Sequence, residues 1–372
     1  ILSLIKRKFN IIGIDIKIKD ENRKKIFSNP LSKHIKVFES SSINSKIFEG
    51  YIKGSLMDGL IKGEFIIESL NRVVPFQSFK SEKRFDIDFV ENKKLISNSW
   101  KFVFNPYKTS KSYSIGLFNS IDNNQISATF RTTTGDYGFM NGGYANNKLL
   151  LSTFNGVRAY LLEAEIKGDS IKGVLYAGNH SKTIIEGVLD NDFELPSEYS
   201  LTSLKEGAEK FDFSFENTDG QLISINDDFY KGKSMVIQLM GSWCPNCLDE
   251  SKFYVDYINN NNLKDIEFVG LAFEYAKTKE KALRSILKLK NELGINYPIL
   301  LAQYAGTDKN KALKKFPMLN NIISYPTTIF LDKNKEVLKI HTGFNGPATG
   351  QKYVDFIEEF NRTMKSMEIS VD

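Results

Sequence analysis

The chain has 372 residues, of which 41% are hydrophobic and 26% are charged, so it is long enough for two or three domains with substantial cores. Its 50 basic and 45 acidic residues give a net charge of +5. That balance argues against nucleic-acid binding.

The chain begins at Ile1, and we interpret it as trimmed or mature, with a signal or lipid anchor removed. Residues 1–5 are too short for the apolar core of a signal peptide. No apolar run approaches the ~18 residues of a membrane helix. Residues 1–36 contain ten Lys or Arg and three Asp or Glu, which indicates a solvated basic start. An approach to an anionic membrane surface is the alternative.

Residues 11–195 show the pattern of short β-strands. Ile12, Ile14 and Ile16 alternate with polar residues or glycine, the period of a half-buried strand. Asn155-Gly156 is a hairpin signal. A segment at residues 69–83 divides off a smaller first part. Further strands are predicted at residues 46–51, 60–67, 85–89, 100–104, 126–131, 148–153, 159–166, 171–176 and 183–188. Many short strands with turn spacing predict a mostly antiparallel β-sandwich or β-barrel.

The most distinctive stretch of this region is residues 130–143, Phe-Arg-Thr-Thr-Thr-Gly-Asp-Tyr-Gly-Phe-Met-Asn-Gly-Gly. One interpretation is a loop that meets a ligand or the second domain. The other is a threonine-rich strand that leads into a glycine turn, with Tyr137, Phe139 and Tyr144 filling the barrel.

Beyond residue 208 the pattern changes to alternating strands and helices, which predicts βαβ units and a sheet covered on both faces. Strands are expected at residues 235–240, 266–273, 297–301 and 327–331, and helices after residue 244 and at 279–293, 308–315 and 350–365. We therefore divide the chain into a β-rich domain at 1–195, a linker at 196–207 and an α/β domain at 208–366.

Cys244 and Cys247, the only two cysteines in the sequence, form a Cys-Pro-Asn-Cys motif directly after the apolar run at residues 235–240. A strand that enters C-x-x-C at the start of a helix is typical of a dithiol redox site. The helix N-terminus stabilises an anion at Cys244, which favours the nucleophilic thiolate.

Two other interpretations of the cysteines remain. A structural disulfide would close a loop too small to restrict the unfolded chain much. A zinc site needs four ligands, but there is no second C-x-x-C, and His34, His180 and His341 are far apart in sequence. Inert buried thiols are the last alternative. We predict no metal site and no cofactor besides a redox-active disulfide between Cys244 and Cys247.

Gly-Ser-Trp-Cys-Pro-Asn-Cys at residues 241–247 resembles the thioredoxin fold, and more narrowly the TlpA/ResA-like thiol-disulfide oxidoreductases of bacterial envelopes, in a two-domain form. The resemblance covers about residues 208–362 and extends to the β-rich region before them. It implies an α/β thioredoxin-like C-terminal domain.

The resemblance also points to Glu250, three residues after Cys247. In the ResA-like branch an acid at this spacing tunes the cysteines. A nearby carboxylate raises thiol pKa values by repulsion and, if buried, can relay a proton. Thioredoxin places its buried acid at the position of Gln238, which cannot ionise. A solvated helix glutamate is the alternative.

Tyr325-Pro326 resembles the cis-proline loop of the family, which lies against the disulfide. A cis bond turns the Tyr325 backbone toward the cysteines, where it can pair with an extended substrate. Family members usually have a smaller residue at the position of Tyr325. The larger tyrosine ring is expected to narrow the range of substrate proteins that can dock there. By the same resemblance, Trp243, Pro245 and Gly343 belong to the substrate-binding face.

The resemblance implies a disulfide reductase in which the Cys244 thiolate attacks a substrate disulfide and Cys247 resolves the mixed disulfide. Its partners are disulfide-containing proteins and an unidentified upstream thiol reductant. Its location is the periplasm or cell envelope, with membrane association through a removed anchor.

Two rival functions remain. A peroxiredoxin-like peroxidase requires Thr or Ser three residues before the cysteine and Pro four before that, where this chain has Gly241 and Ile237. The second rival is a ligand- or protein-binding module in which the redox domain is accessory.

Overall fold

The structure is a computed structural model that describes residues 14–15, 41–45, 47–57, 60–78, 84–85, 87–121 and 124–369. Three sheets of five, nine and seven strands organise these residues. In the described part of the chain, no helix has the length and apolar character that crossing a bilayer requires.

The first sheet is an antiparallel meander. Its strands are β1 (Ile14–Asp15), β2 (Ser41–Ser45), β3 (Tyr51–Met57), β4 (Leu60–Ile67) and β5 (Arg72–Ser78). Each strand pairs with the next along the chain. The sheet does not stand alone, because Phe48 and Phe65 share one continuous apolar core with Val157 of the second sheet's connections and with the third sheet.

The second sheet has nine strands, and eight of them close into an antiparallel barrel. Its strands are β6 (Trp100–Phe104), β7 (Ser112–Ser120), β8 (Gln125–Thr132), the short β9 (Gly135–Asp136), β10 (Met140–Ala145), β11 (Lys148–Phe154), β12 (Ala159–Lys167), β13 (Ser170–Ala177) and β14 (Ser181–Leu189). Pairing of β10 with β8 completes the ring, which leaves no unpaired edge. Phe102, Phe104 and Phe130 fill its centre in edge-to-face contacts.

The third sheet has the order β16-β15-β19-β18-β17-β20-β21. Its strands are β15 (Ser214–Glu216), β16 (Leu222–Ser224), β17 (Ser234–Met240), β18 (Ile266–Phe273), β19 (Ile299–Gln303), β20 (Thr327–Leu331) and β21 (Val337–Thr342). Strands β17, β18 and β19 are parallel, and β20 runs antiparallel to β17. All seven residues of β17 are buried, as expected of a central strand covered on both faces.

Most of the helices accompany the third sheet. They are α1 (Lys93–Ile96), α2 (Pro245–Asn260), α3 (Lys279–Leu293), α4 (Lys309–Leu313) and α5 (Gln351–Ile369). Thr278 caps α3 by accepting a hydrogen bond from Lys281 N, and Gly294 ends it in the left-handed conformation. The predicted fold class is confirmed: a thioredoxin-like C-terminal domain follows an antiparallel β-barrel. The domain limits 1–195, 196–207 and 208–366 stay a prediction.

Several local predictions are wrong. Residues 47–50 form the turn between β2 and β3, not a strand, and Ser45 N donates to Gly50 O across it. The described residues of 85–89 contain no strand. Gly142-Gly143 lies inside β10 and does not form a turn. The division of the β-rich region at residues 69–83, a span that includes β5, stays a prediction. Most of the strand expected around Ile12–Ile16 lies outside the described residues.

Candidate active site

The two cysteines stand where β17 passes into α2. Cys244 is the N-cap of α2, and its Sγ accepts a hydrogen bond from Cys247 N at 3.2 Å. Pro245 follows as the first helical residue, where its missing N–H costs no hydrogen bond. Both cysteines are thiols in this structure. The local fold therefore brings the predicted pair together and aims a backbone N–H at the first sulfur.

The two thiols have different surroundings. Cys247 is fully buried, whereas Cys244 keeps 5% of its surface exposed. Burial raises the pKa of Cys247 well above its usual range, and the hydrogen bond and charge of Cys244 act in the same direction, followed by the charge of Glu250. A substrate therefore meets Cys244 first, and Cys247 stays protonated behind it.

The Tyr325–Pro326 peptide bond is cis, as predicted. Tyr325 O accepts a hydrogen bond from Cys244 Sγ at 3.4 Å. The buried Tyr325 ring stacks on Phe273 and meets Trp243 edge-on. The Tyr325 backbone and ring thus form one wall of the site, next to the first cysteine.

Glu250 is a buried carboxyl, not a solvated one. It is fully inaccessible, and it accepts hydrogen bonds from Gln238 Nε2 at 2.8 Å and Thr328 Oγ1 at 2.9 Å. Burial raises its pKa to about 7, against the opposing effect of these hydrogen bonds. Gln238 Nε2 also donates to Cys247 O at 3.4 Å. The Gln238 side chain therefore connects the Glu250 carboxyl to the backbone of the second cysteine.

Trp243 and Gly343 line the site differently from each other. Trp243 is half-buried, packs on Tyr275 with ring centroids 4.5 Å apart, and donates from Nε1 to Phe273 O. Gly343 has a φ of +83°, and a side chain there would lie 2.6 Å from the backbone of Thr134. The backbone that approaches Gly343 so closely is that of the chain's own barrel.

The barrel loop at residues 132–136 lies along the redox site. Ser324 Oγ is 3.5 Å from Thr134 O, and Gly135 forms a parallel β-bridge with Phe344. Of the two interpretations of residues 130–143, contact with the second domain is what the structure has. The stretch also forms strand, and Tyr137 packs against Phe130, but Phe139 is 48% exposed and does not fill the barrel.

Asp136 fastens this loop to the redox domain. Its carboxylate accepts from Gly346 N at 2.6 Å and from Gly138 N at 2.6 Å. Asn246, the residue before Cys247, faces the Asp136 backbone. With its amide assigned the orientation that satisfies both groups, its nitrogen donates to Asp136 O at 3.1 Å and its oxygen accepts from Asp136 N at 3.2 Å. Sequence reasoning missed Asp136, Asn246 and Ser324 as site residues, and only the unusual Thr-Thr-Thr-Gly-Asp run signalled the contact.

The C-terminal part of the chain is similar to known proteins. Residues 205–355 match the Redoxin family model. The chain is 24% identical over 156 residues to thiol-disulfide oxidoreductase ResA of Bacillus subtilis, which covers 42% of this chain and 78% of ResA. It is 26% identical over 140 residues to thioredoxin-like protein YneN of the same organism, covering 38% of this chain and 73% of YneN.

The C-terminal domain is a TlpA/ResA-like thiol-disulfide oxidoreductase domain. Among solved structures, a thioredoxin-family thiol:disulfide interchange protein from Chlorobium tepidum covers 44% of this chain and 99% of its own, at 21% identity and a TM-score of 0.32. StoA from Bacillus subtilis covers 38% and 96%, at 20% identity and a TM-score of 0.28. Residues 1–54 match the Rhamnosyl O-methyltransferase/CmcI model, a span that lies largely outside the described residues.

The TlpA/ResA-like domain has a second buried acid, Glu274, which follows β18. Its carboxylate accepts hydrogen bonds from Ser242 N at 2.8 Å and Ser242 Oγ at 2.7 Å. It therefore holds the turn that leads into Cys244. Burial raises the pKa of Glu274 to about 7. Its place at a strand end, level with the cysteines, is the sequence signal for this role.

We expect Glu274→Gln to remove part of the pH dependence of stability. A carboxyl whose folded pKa is raised from 4.5 to about 7 stabilises the fold at low pH and loses that contribution as pH rises through 7. The loss amounts to about 3 kcal/mol. Urea unfolding of the wild type should therefore show a steeper fall in the free energy of unfolding between about pH 5 and pH 8 than the variant shows.

Glu163→Gln is the matched control, because Glu163 is an exposed barrel carboxyl. It should leave the fall unchanged. An equal fall in wild type and Glu274→Gln would show that Glu274 titrates alike in the folded and unfolded chains, against this prediction.

His341 has a structural position in the TlpA/ResA-like domain. It is buried between the rings of Tyr199 and Phe356. Burial lowers its pKa to about 4, so it is neutral at physiological pH. Among the described residues, no three His, Cys, Asp or Glu side chains cluster in a way that could hold a metal ion.

Proposed function

We propose that this thiol-disulfide oxidoreductase is a disulfide reductase of extracytoplasmic proteins. The observation that carries the proposal is the asymmetry of the cysteine pair. Cys244 lies at a helix N-terminus with the Cys247 N–H on its sulfur and Tyr325 O beside it, whereas Cys247 is fully buried with a raised pKa. This arrangement supports an attacking and a resolving cysteine.

The reaction proceeds in two exchanges. The Cys244 thiolate attacks one sulfur of the substrate disulfide, and the other sulfur leaves as a thiolate that takes up a proton. Cys247 then loses its proton and attacks the Cys244 sulfur, which releases the second substrate thiol. The substrate gains two electrons and two protons, and the protein is left with a Cys244–Cys247 disulfide.

The surroundings assign roles to the other residues. Glu250, with its pKa raised to about 7, is the group that takes the Cys247 proton. Trp243, Pro245, Tyr325, Pro326 and Gly343 form the face around Cys244. An upstream thiol reductant must regenerate the dithiol. We propose that the protein acts in the periplasm or cell envelope, because the disulfides of its substrate proteins persist in oxidising compartments.

The test is the reduction potential of the cysteine pair. The protein is equilibrated in defined thiol/disulfide buffers and alkylated, and the labelled cysteines are counted by mass spectrometry. We expect one intramolecular disulfide with a potential well below about −200 mV, the range of thiol reductants.

Two results contradict the proposal. A potential near about −120 mV is that of a strong oxidant and reverses the direction of electron flow. If no intramolecular disulfide forms at any buffer potential, the cysteine pair does not act as a redox-active dithiol. A Cys247→Ser variant, which cannot form the pair, provides the baseline for the alkylation count.

A further inference from the structure

A cleft opens beside Cys244 where the first sheet, the barrel and the TlpA/ResA-like domain meet. The cleft is small and partly open to solvent. Trp243 and Pro245, the sequence neighbours of Cys244, belong to its wall. The cleft therefore reaches the residues on both sides of the attacking cysteine.

The groove on which a thioredoxin-like domain would pair with an extended chain is already filled. The barrel residues 134–136 contact Ser324, Gly343 and Phe344. Asp136 also pairs with Asn246 between the cysteines. None of these groove and barrel residues is among the described residues that line the cleft, so the contact leaves the cleft next to Trp243 and Pro245 open.

The cleft is positively charged. Arg72 and Arg158 line it, and Glu49 alone is acidic among its described lining residues, which gives a local charge of +1. Arg158 is exposed and Arg72 is partly exposed, so a ligand can reach both guanidinium groups. Burial and then the charge of Arg158 lower the pKa of Arg72, as expected of two guanidinium groups within each other's field.

The partners of these arginines are neutral. Arg72 Nη1 donates to Val157 O at 3.3 Å, and Arg158 Nη1 donates to Tyr160 Oη at 3.3 Å. Neither guanidinium has a carboxylate partner in the part of the chain that the structure describes. The Glu49 carboxylate is held instead by the backbone N–H and hydroxyl of Ser69. A guanidinium has five N–H donors, so both retain donors for a ligand.

We propose that this cleft is the substrate subsite and that it selects disulfides carrying a carboxylate close to the sulfur atoms. The inference rests on the proposed reductase function. Guanidinium groups pair with carboxylates through two parallel charge-assisted hydrogen bonds. The Trp243 and Tyr275 rings, whose centroids are 4.5 Å apart, supply an apolar wall for the rest of the substrate. The carboxylate on Arg72 and Arg158 then directs the disulfide to Cys244.

Two probe disulfides that release light-absorbing thiols on reduction test this. 5,5′-Dithiobis(2-nitrobenzoate) carries a carboxylate on each ring, whereas 4,4′-dithiodipyridine is uncharged near neutral pH. Each accepts two electrons from the Cys244–Cys247 dithiol and releases two thiols. The measured quantity is the ratio of the second-order rate constants, anionic over neutral. Arg158→Gln and Arg72→Gln should each lower this ratio about fivefold to tenfold, with the neutral rate unchanged.

Removal of the negative charge in the cleft should have the opposite effect on the ratio of rate constants. Glu49→Gln should raise the ratio, because it removes the cleft's carboxylate. Arg84→Gln is the matched control: Arg84 is a partly buried arginine that donates to Ser152 and does not line the cleft, so the ratio should stay at the wild-type value. Added salt should lower the anionic rate alone.

The inference is overturned if the arginine variants slow both probes equally, which is the mark of a structural role, or if they leave the ratio unchanged. It is also overturned if Arg84→Gln lowers the ratio as much as they do. If the wild-type dithiol fails to react even with the neutral probe, the reductase function itself fails, which is a different result from an unchanged ratio.

Discussion

A Cys244→Ser variant is expected to lose thiol–disulfide exchange by at least about 10³-fold, as removal of a covalent nucleophile does. The Cys244 sulfur receives the Cys247 N–H and is the more accessible of the two thiols. A serine hydroxyl does not ionise near neutral pH, so it supplies no equivalent of the thiolate. The check is the rate of reduction of 4,4′-dithiodipyridine by the pre-reduced protein.

Cys247→Ser separates the two cysteine roles. It should keep the first exchange and stop at a mixed disulfide between Cys244 and half of the probe, visible as added mass on the intact protein. If instead Cys244→Ser forms the stable mixed disulfide and Cys247→Ser is inactive, the attacking and resolving roles are reversed. Cys247 is fully buried, which makes that reversal unexpected.

Local sequence patterns predicted the redox domain well because its signals are local. The apolar run before Cys244 became β17, and the helical spacing after residue 278 became α3 (Lys279–Leu293). The C-x-x-C motif fixed the place of the nucleophile, since both cysteines, the strand end and the helix start are contiguous in sequence. The Tyr325–Pro326 bond was found through the family resemblance and not from its neighbours.

The barrel was predicted less well, because its glycines are required by contacts with residues that are distant in sequence. Gly142 was interpreted as part of a turn, but it lies inside β10, where a side chain would come within 1.8 Å of Leu150 O. Gly143 likewise faces the Phe89 ring. The sequence does not distinguish a glycine required by close packing from one required by a turn. The pairing of the strands in the structure does distinguish them.

The contact between the domains was beyond single-sequence reasoning for a related reason. Asp136 and Gly346 are 210 residues apart, yet they are joined by a 2.6 Å hydrogen bond. Hydrophobic periodicity carries no information on such pairings. The unusual composition of residues 130–143 was the one signal in the sequence. It indicated that this segment contacts something besides the barrel core.

Glu250→Gln should slow the resolving step by about 10²-fold and remove its pH dependence near 7. Two effects oppose each other. Loss of a buried general base costs about 10³-fold, the middle of the usual range. The negative charge of Glu250 also raises the pKa of Cys247, so its removal eases ionisation of the thiol and offsets part of that loss. The base effect is the larger, so the net result is a slower step.

The pH profile distinguishes this role from a structural one. Glu250 has a pKa raised to about 7 by burial, so in the wild type the decay of the mixed disulfide should accelerate as pH rises through 7 and Glu250 ionises. In Glu250→Gln this acceleration should be absent, while attack by Cys244 changes little. Rapid acid quench and intact-mass measurement at several pH values resolve the two steps.

Glu274→Gln is the matched control, because Glu274 is equally buried and has the same raised pKa, but its carboxylate binds Ser242 and not the Gln238 cluster. It should retain the wild-type acceleration near pH 7. If both variants lose it, a general property of buried acids in this domain accounts for the profile. If neither does, the proton of Cys247 leaves by another route, and Glu250 acts only through the packing of Gln238 and Thr328 around it.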